Sequence, residues 1–278
     1  MGWTMPVASF WAGEDLSFVE QMVILSYLET GCDFTLYLGN EVGGIPAGVK
    51  TRPASEIMPR PAFLDGAPDR KAMAVWSDLF RLALLNRQGV IWVDLDAYCL
   101  RPYRVDDGYA FGLNGPDTMQ SGVLALPQTS PALQWTTDFL TGDEVAPPWR
   151  DEKWIHQRRK KGRLRPIDLP WGDTGPFALG HALRQSGEIT RGRPRPVYYP
   201  VFAATLPRLW RRGLSDAQII VPETESVHIF GYTKRYLATY HNGLPPPESW
   251  LDRTARRHGL EPADAPAQGV PLGLGGKA

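Results

Sequence analysis

Residues 76–102, W-S-D-L-F-R-L-A-L-L-N-R-Q-G-V-I-W-V-D-L-D-A-Y-C-L-R-P, constrain the fold more than any other stretch of the chain. Trp76, Leu79, Phe80 and Ala83 recur at helical spacing and give the first half one apolar face. Gly89 ends that helix. Val90 to Leu95 follow as a run that stays apolar until Asp94 and Asp96. A strand without polar alternation is buried on both faces, as in parallel sheets covered by helices. Residues 5–11 read as a strand, 15–30 as a helix closing at Gly31, and Phe34 to Leu38 as a second strand. The alternation predicts an α/β fold, a mostly parallel sheet flanked by helices.

Further along, Val49 to Ile57 holds a short third strand. Residues 109–127 form strand pieces around a turn at Asn114-Gly115-Pro116-Asp117, with Val123 to Leu126 as an apolar strand. Residues 131–141 and 174–186 fit helices, the second starting at Thr174-Gly175-Pro176 and closing before Gly187. Val197 to Phe202 and Gln218 to Val221 read as late short strands, and 143–173 shows no clear period. The expected organisation is one domain over 1–244, then a Pro/Gly-rich tail over 245–278, disordered from 261.

A chain of 278 residues can bury about three quarters of its unfolded surface and needs no covalent staples. Its two cysteines, Cys32 and Cys99, suggest a reducing compartment. Lys plus Arg and Asp plus Glu are both 30, so net charge gives no argument for nucleic acid. The start lacks a basic n-region, and no stretch reaches the roughly 18 apolar residues of a membrane span. The expectation is a cytoplasmic protein. The basic run 156–165 contains six Lys or Arg. With further clusters at 191–195 and 208–212, it leaves open peripheral contact with the inner face of a membrane or with an acidic glycan.

The chemistry centres on Asp94 and Asp96. Two carboxylates at the end of a buried strand lie where open α/β sheets bind ligands. Oxygen ligands suit Mg²⁺ or Mn²⁺, which bind through one or two carboxylates plus substrate phosphates. Asp78 and Arg81, three apart, share a helical face; their plain alternative is a surface salt bridge.

W-S-D-L-F-R…G-V-I-W-V-D-L-D-A-Y-C-L-R-P resembles the S-D-x-x-R…G-G-x-Y-x-D-x-D signature of D-x-D-containing glycosyltransferases of the GT-A fold. These are the family 32-like and α-1,4-glycosyltransferase-like sugar-binding enzymes. Gly89-Val90 departs from the usual Gly-Gly. Phe10-Trp11-Ala12-Gly13, Leu124-Ala125-Leu126-Pro127 and Thr174-Gly175-Pro176 are similar to further family motifs. His228-Ile229-Phe230-Gly231-Tyr232-Thr233-Lys234 resembles the H-x-x-G-x-x-K motif of glycogenin-like enzymes, with Arg235-Tyr236 in place of the Pro-Trp that often follows.

The resemblance implies a Rossmann-like nucleotide-sugar-binding fold. It also implies transfer of a hexose, with retention, from a nucleotide-diphospho-sugar (UDP-sugar favoured) to a glycan or glycolipid hydroxyl. Polysaccharide or surface-glycan synthesis is the setting it suggests. It implies that Asp96 ligates Mn²⁺ or Mg²⁺ directly, that Asp94 approaches the metal through water or meets the ribose, and that His228 completes the metal shell. Asp78 and Arg81 would bind donor-sugar hydroxyls, Trp11 would stack on the base, and Gln120 and Ser121 would lie near the donor sugar. The Gly231 backbone and Lys234 would meet the diphosphate. Two other classes remain. One is a nucleotide-sugar-binding protein without catalysis. The other is a haloacid-dehalogenase-type phosphatase, whose first motif V-D-L-D-A-Y resembles, although that motif belongs on an early strand.

Overall fold

The computed structural model describes residues 2–66, 69–115 and 118–269. The strands are β1 (Val7–Trp11), β2 (Phe34–Leu38), β3 (Lys50–Pro53), β4 (Ile91–Val93), β5 (Ala97–Cys99), β6 (Ala110–Gly115), β7 (Thr118–Ala125) and β8 (Ser226–His228). The helices are α1 (Phe18–Glu29), α2 (Arg70–Arg87), α3 (Pro131–Thr141), α4 (Glu152–Arg159), α5 (Ala178–Gln185), α6 (Arg195–Tyr198), α7 (Gly231–Tyr240) and α8 (Trp250–Arg257).

Six strands form one sheet in the order β3-β2-β1-β4-β7-β6. β3, β2, β1 and β4 run parallel, while β7 and β6 are antiparallel additions. The sequence alternation thus gives a mixed α/β fold with a mostly parallel sheet between helices. From β1 the chain winds outward to β2 and β3, then returns to place β4 on the other side of β1. The strand order reverses at that junction, and the carboxyl ends of β1 and β4 flank the crevice where such sheets bind ligands.

Strand alternation divides the core in two. Val7, Leu36, Ile91, Val93 and Val123 pack with Phe18, Val19, Met22 and Val23 of α1. Ala8, Phe10, Tyr37, Trp92 and Leu124 face the opposite way, against Trp76, Phe80 and Leu84 of α2 and Leu133 of α3. β4 is buried on both faces, as its unbroken apolar run requires. α1 ends as its sequence dictates. Gly31 takes φ +72°, its N–H donates to the Leu28 carbonyl, and the Cys32 N–H reaches back to that of Tyr27.

Several sequence expectations need correction. Helix α2 ends at Arg87, before Gly89. Residues 195–198 form a helical turn and 216–218 a 3₁₀ turn, not strands. The late strand is β8, three residues with no room for a period. The turn at 114–117 includes Pro116 and Asp117, which lie outside the described residues. Within 143–173 sits α4, none of whose residues is buried, so it carries no apolar stripe to read.

Residues 245–269 fold onto the same core. Trp250, Leu251 and Ala255 of α8 are buried, and Trp250 meets Tyr98 edge-on at 5.4 Å. Beyond α8, the Phe18 N–H donates to the Ala265 carbonyl at 2.7 Å, and the Ala267 N–H donates to Gly243 at 2.9 Å. Of the tail expected to be disordered, 261–269 therefore packs, and 270–278 lie outside the described residues. Deleting 261–278 removes both bonds together with the buried Ala267 packing, and each hydrogen bond contributes about 1 kcal/mol net. A melting temperature several degrees lower is the expected result, checked by circular dichroism.

Candidate active site

Backbone pairing assembles the site. β4 ends at Val93, and the next N–H, that of Asp94, donates to the Gly122 carbonyl of β7 at 2.8 Å. Asp94 to Ala97 make a turn closed by the Ala97 N–H on the Asp94 carbonyl. The chain then enters β5, which pairs with β8 so that Ala97 lies opposite His228. The Ile229 N–H donates to the Asp96 carbonyl at 2.7 Å, which brings residue 228 to the aspartates from far along the chain.

One ligand atom each from Asp94, Asp96 and His228 lies within 4.8 Å of the others, so this group could hold a metal ion. His228 is buried and the two aspartates are partly exposed. His228 Nε2 sits 3.2 Å from Asp96 Oδ1. Yet Asp96 Oδ1 and His228 Nδ1 are buried without a hydrogen-bond partner. Two ligands of one ion, each about 2.1 Å from it at a right angle, stand about 3 Å apart. The 3.2 Å spacing of His228 Nε2 and Asp96 Oδ1, the latter without a hydrogen-bond partner, therefore fits a shared cation. Burial holds the Asp96 carboxyl above the ordinary range, against the pull of His228.

A second network fixes Asp94 from behind. Its Oδ1 accepts from Arg81 Nη2 and from Trp92 Nε1, both at 2.8 Å. Arg81 also donates to Asp78 Oδ1 at 2.9 Å, and its guanidinium lies 4.8 Å from the Trp92 ring centroid. Arg81 is only 4% exposed, so this is no surface salt bridge. Asp78 Oδ2 accepts from the Thr174 hydroxyl at 2.7 Å. Burial raises the Asp78 pKa, against the lowering effect of Arg81 and Thr174. Burial opposes the Arg81 charge, but Asp94 and Asp78 outweigh it and hold its pKa above the usual value.

Cations and aromatic rings surround the group. Lys234 Nζ is ion-paired with the buried Glu20 at 2.5 Å and lies 5.3 Å from the Trp11 ring centroid. Arg70 packs against Gly231, where an added Cβ would come within 2.8 Å of its Nη2. Burial lowers the Arg70 pKa, the like charge of Arg235 lowers it further, and nearby Asp96 opposes both. Phe230 packs edge-on to His228 at 4.4 Å with φ +61°, a conformation costly for a side chain of this kind.

The fold therefore gathers Asp78, Arg81, Asp94, Asp96 and His228, with Trp11, Gly231 and Lys234 close by. Gln120 and Ser121 precede Gly122 on β7, but among the described residues no hydrogen bond or ion pair joins either to the group. A cavity of about 390 Å³ opens beside the crevice at the ends of β2 and β3, lined by Asn40, Thr51, Arg52 and Trp76 among others. None of Asp94, Asp96 and His228 lines it.

Sequence reading missed Gly122. A Cβ there would lie 2.4 Å from His228 Cε1 and 3.2 Å from Asp94 Oδ2, so only glycine leaves the group its space. The signal was present, since glycine inside a strand often marks a close approach. Gly122→Ala should push the imidazole aside at a cost of about 1–3 kcal/mol for overpacking. A folded variant whose melting temperature no longer responds to Mn²⁺ is the expected result.

No protein-family model matches the sequence, and no curated protein matches it. Among solved structures, the apo form of the WbbM bifunctional glycosyltransferase is similar at 11% identity with a TM-score of 0.33. The match covers 70% of this chain and 47% of that one, so this chain spans about half the length of that protein. Among the described residues, no helix is long and apolar enough to cross a membrane.

Proposed function

We propose that this chain is a metal-dependent glycosyltransferase that moves a hexose from a nucleotide-diphospho-sugar to a hydroxyl of a glycan or glycolipid. The observation that carries the reading is the Asp94, Asp96 and His228 group at the crevice between β1 and β4. The donor set of two carboxylates and an imidazole suits Mn²⁺ and, with phosphate oxygens added, Mg²⁺. Support also comes from the surroundings, because Arg70 puts positive charge beside Asp96, while the nearby Lys234 ammonium is ion-paired with Glu20.

In this reading Asp96 and His228 ligate the ion and Asp94 approaches it, held in one orientation by Arg81 and Trp92. A divalent ion supplies Lewis-acid stabilisation of charge on the departing diphosphate. Arg70 adds positive charge at the same phosphates, and Lys234 meets them while paired with Glu20. Trp11 stacks on the base, and the Gly231 backbone closes on the diphosphate. Asp78 takes a donor-sugar hydroxyl, and Gln120 and Ser121 line the approach to that sugar. The acceptor oxygen bonds to the anomeric carbon as the bond from that carbon to the phosphate oxygen breaks. The electron pair leaves with the nucleoside diphosphate, which also takes the hydroxyl proton. Attack from the leaving group's own face gives retention. A UDP-sugar donor and a role in polysaccharide or surface-glycan synthesis are the finer parts of the proposal.

The test is release of nucleoside diphosphate from UDP-glucose, UDP-galactose, UDP-N-acetylglucosamine and GDP-mannose, with Mn²⁺, Mg²⁺ or EDTA. Metal-dependent turnover of one donor is expected. Binding without turnover would leave a sugar-nucleotide-binding protein, and neither would overturn the reading.

A further inference from the structure

We propose that Trp171 and Phe177 form the platform on which the acceptor sugar stacks. Trp171 is 61% exposed and Phe177 is 54% exposed. Single exposed apolar side chains are ordinary on a protein surface, and what sets these two apart is the turn that carries them. Here the backbone that carries them is pinned. Trp171 precedes and Phe177 closes one π-helical turn, Asp173–Phe177, entered through Gly172 at φ +84°. Such turns recur at functional sites.

Two fixings tie this turn to the active site. The fully buried Asp173 accepts two bonds from Arg150, at 2.7 and 3.1 Å. Thr174 donates to Asp78, and Gly175 lies so close that a Cβ would come within 2.7 Å of Asp78 Oδ1. Asp78 in turn reaches Asp94 through Arg81. On the other side, the Trp171 ring lies 5.5 Å from the Arg70 guanidinium, which senses Asp96. The rings therefore project into solvent from the rim of the site rather than from a remote surface.

A pyranose presents a flat face of C–H groups, and an exposed aromatic ring is a flat apolar partner with a negative face. A hydroxyl acceptor must approach from solvent, on the side of the donor sugar away from the nucleotide. The turn that carries the rings touches Asp78, the carboxylate proposed to hold donor-sugar hydroxyls, and the rings themselves are open to solvent. The occupant is thus a sugar ring of the acceptor. The platform rests on the glycosyl-transfer reading and gives it a second substrate.

The experiment measures two fates of the donor, transfer to a methyl hexoside and hydrolysis by water. The acceptors are the methyl α- and β-glycosides of glucose, galactose, mannose and N-acetylglucosamine. Trp171→Ala and Phe177→Ala should each lower the ratio of transfer to hydrolysis at least tenfold by raising KM for the hexoside. Trp171→Phe, which keeps a ring, should recover most of it. Tyr240→Ala, another exposed aromatic, should leave the ratio at its wild-type value. An unchanged ratio in the first two variants overturns the platform, whether both rates fall together or neither does. So does a wild-type chain that hydrolyses a donor but transfers to none of the hexosides. A chain that turns over no nucleotide sugar overturns the transfer reading first and the platform with it.

Discussion

In Asp96→Asn, the rise in melting temperature caused by Mn²⁺ with a nucleoside diphosphate should vanish, while the metal-free melting temperature holds or rises. A ligand at a hundred times its dissociation constant stabilises the folded state by about 2.7 kcal/mol. For a chain of this size that is a shift of roughly 5–10 °C. Asp96 supplies an otherwise unpartnered oxygen in the group, so its loss removes that increment. Without metal the sign reverses. Burial raises the Asp96 pKa, so its ionised form is disfavoured in the fold, and the neutral amide relieves that penalty. Calorimetry that found unchanged Mn²⁺-dependent affinity for every nucleoside diphosphate would contradict the metal assignment.

Arg81→Ala should be the most destabilising substitution at the site. It leaves Asp78 and Asp94 without their shared counter-charge, and removing one partner of a buried ion pair costs about 3–5 kcal/mol. The expected fall in melting temperature is roughly 10 °C. Arg81→Lys keeps the charge but loses the fork that spans both carboxylates, so it should fall between. The deficit should depend on pH. Burial already raises the Asp78 pKa above its unfolded value, and loss of the guanidinium raises it further. The folded variant then binds more protons than the unfolded chain in the window between those pKa values. Its stability therefore falls as pH rises through that window and recovers as pH drops. Melting curves between pH 5 and pH 8 check this; a deficit independent of pH would mean that Arg81 acts by packing alone. In the proposed reading Arg81 positions Asp94 through their hydrogen bond, and the donor-sugar contact is assigned to Asp78.

The sheet was legible because burial on both faces leaves a simple mark, the apolar run before Asp94. Helices α1 and α3 were legible from spacing and end residues. By contrast, α4 lacks a stripe because none of its residues is buried, and β8 is too short for any period. Helix α8 did carry a pattern, with Ser249 as cap and Trp250, Leu251, Thr254 and Ala255 on one face, but the prolines before it suggested a tail. At the site, the carboxylates and His228 could be read as a motif. The bond from Arg81 to Asp94 could not, because side chains 13 residues apart meet only once helix and strand have packed. Trp171 and Phe177 left no trace either, since exposure is a property of the folded surface.

The central claim is that Asp94, Asp96 and His228 hold one divalent ion that meets a nucleoside diphosphate. Anomalous diffraction from crystals grown with Mn²⁺ and UDP tests it most directly. A peak within bonding distance of Asp96 and His228, with phosphate oxygens on its open side, is the predicted result. A well-ordered UDP with no peak there, or a manganese peak on other side chains, would contradict it.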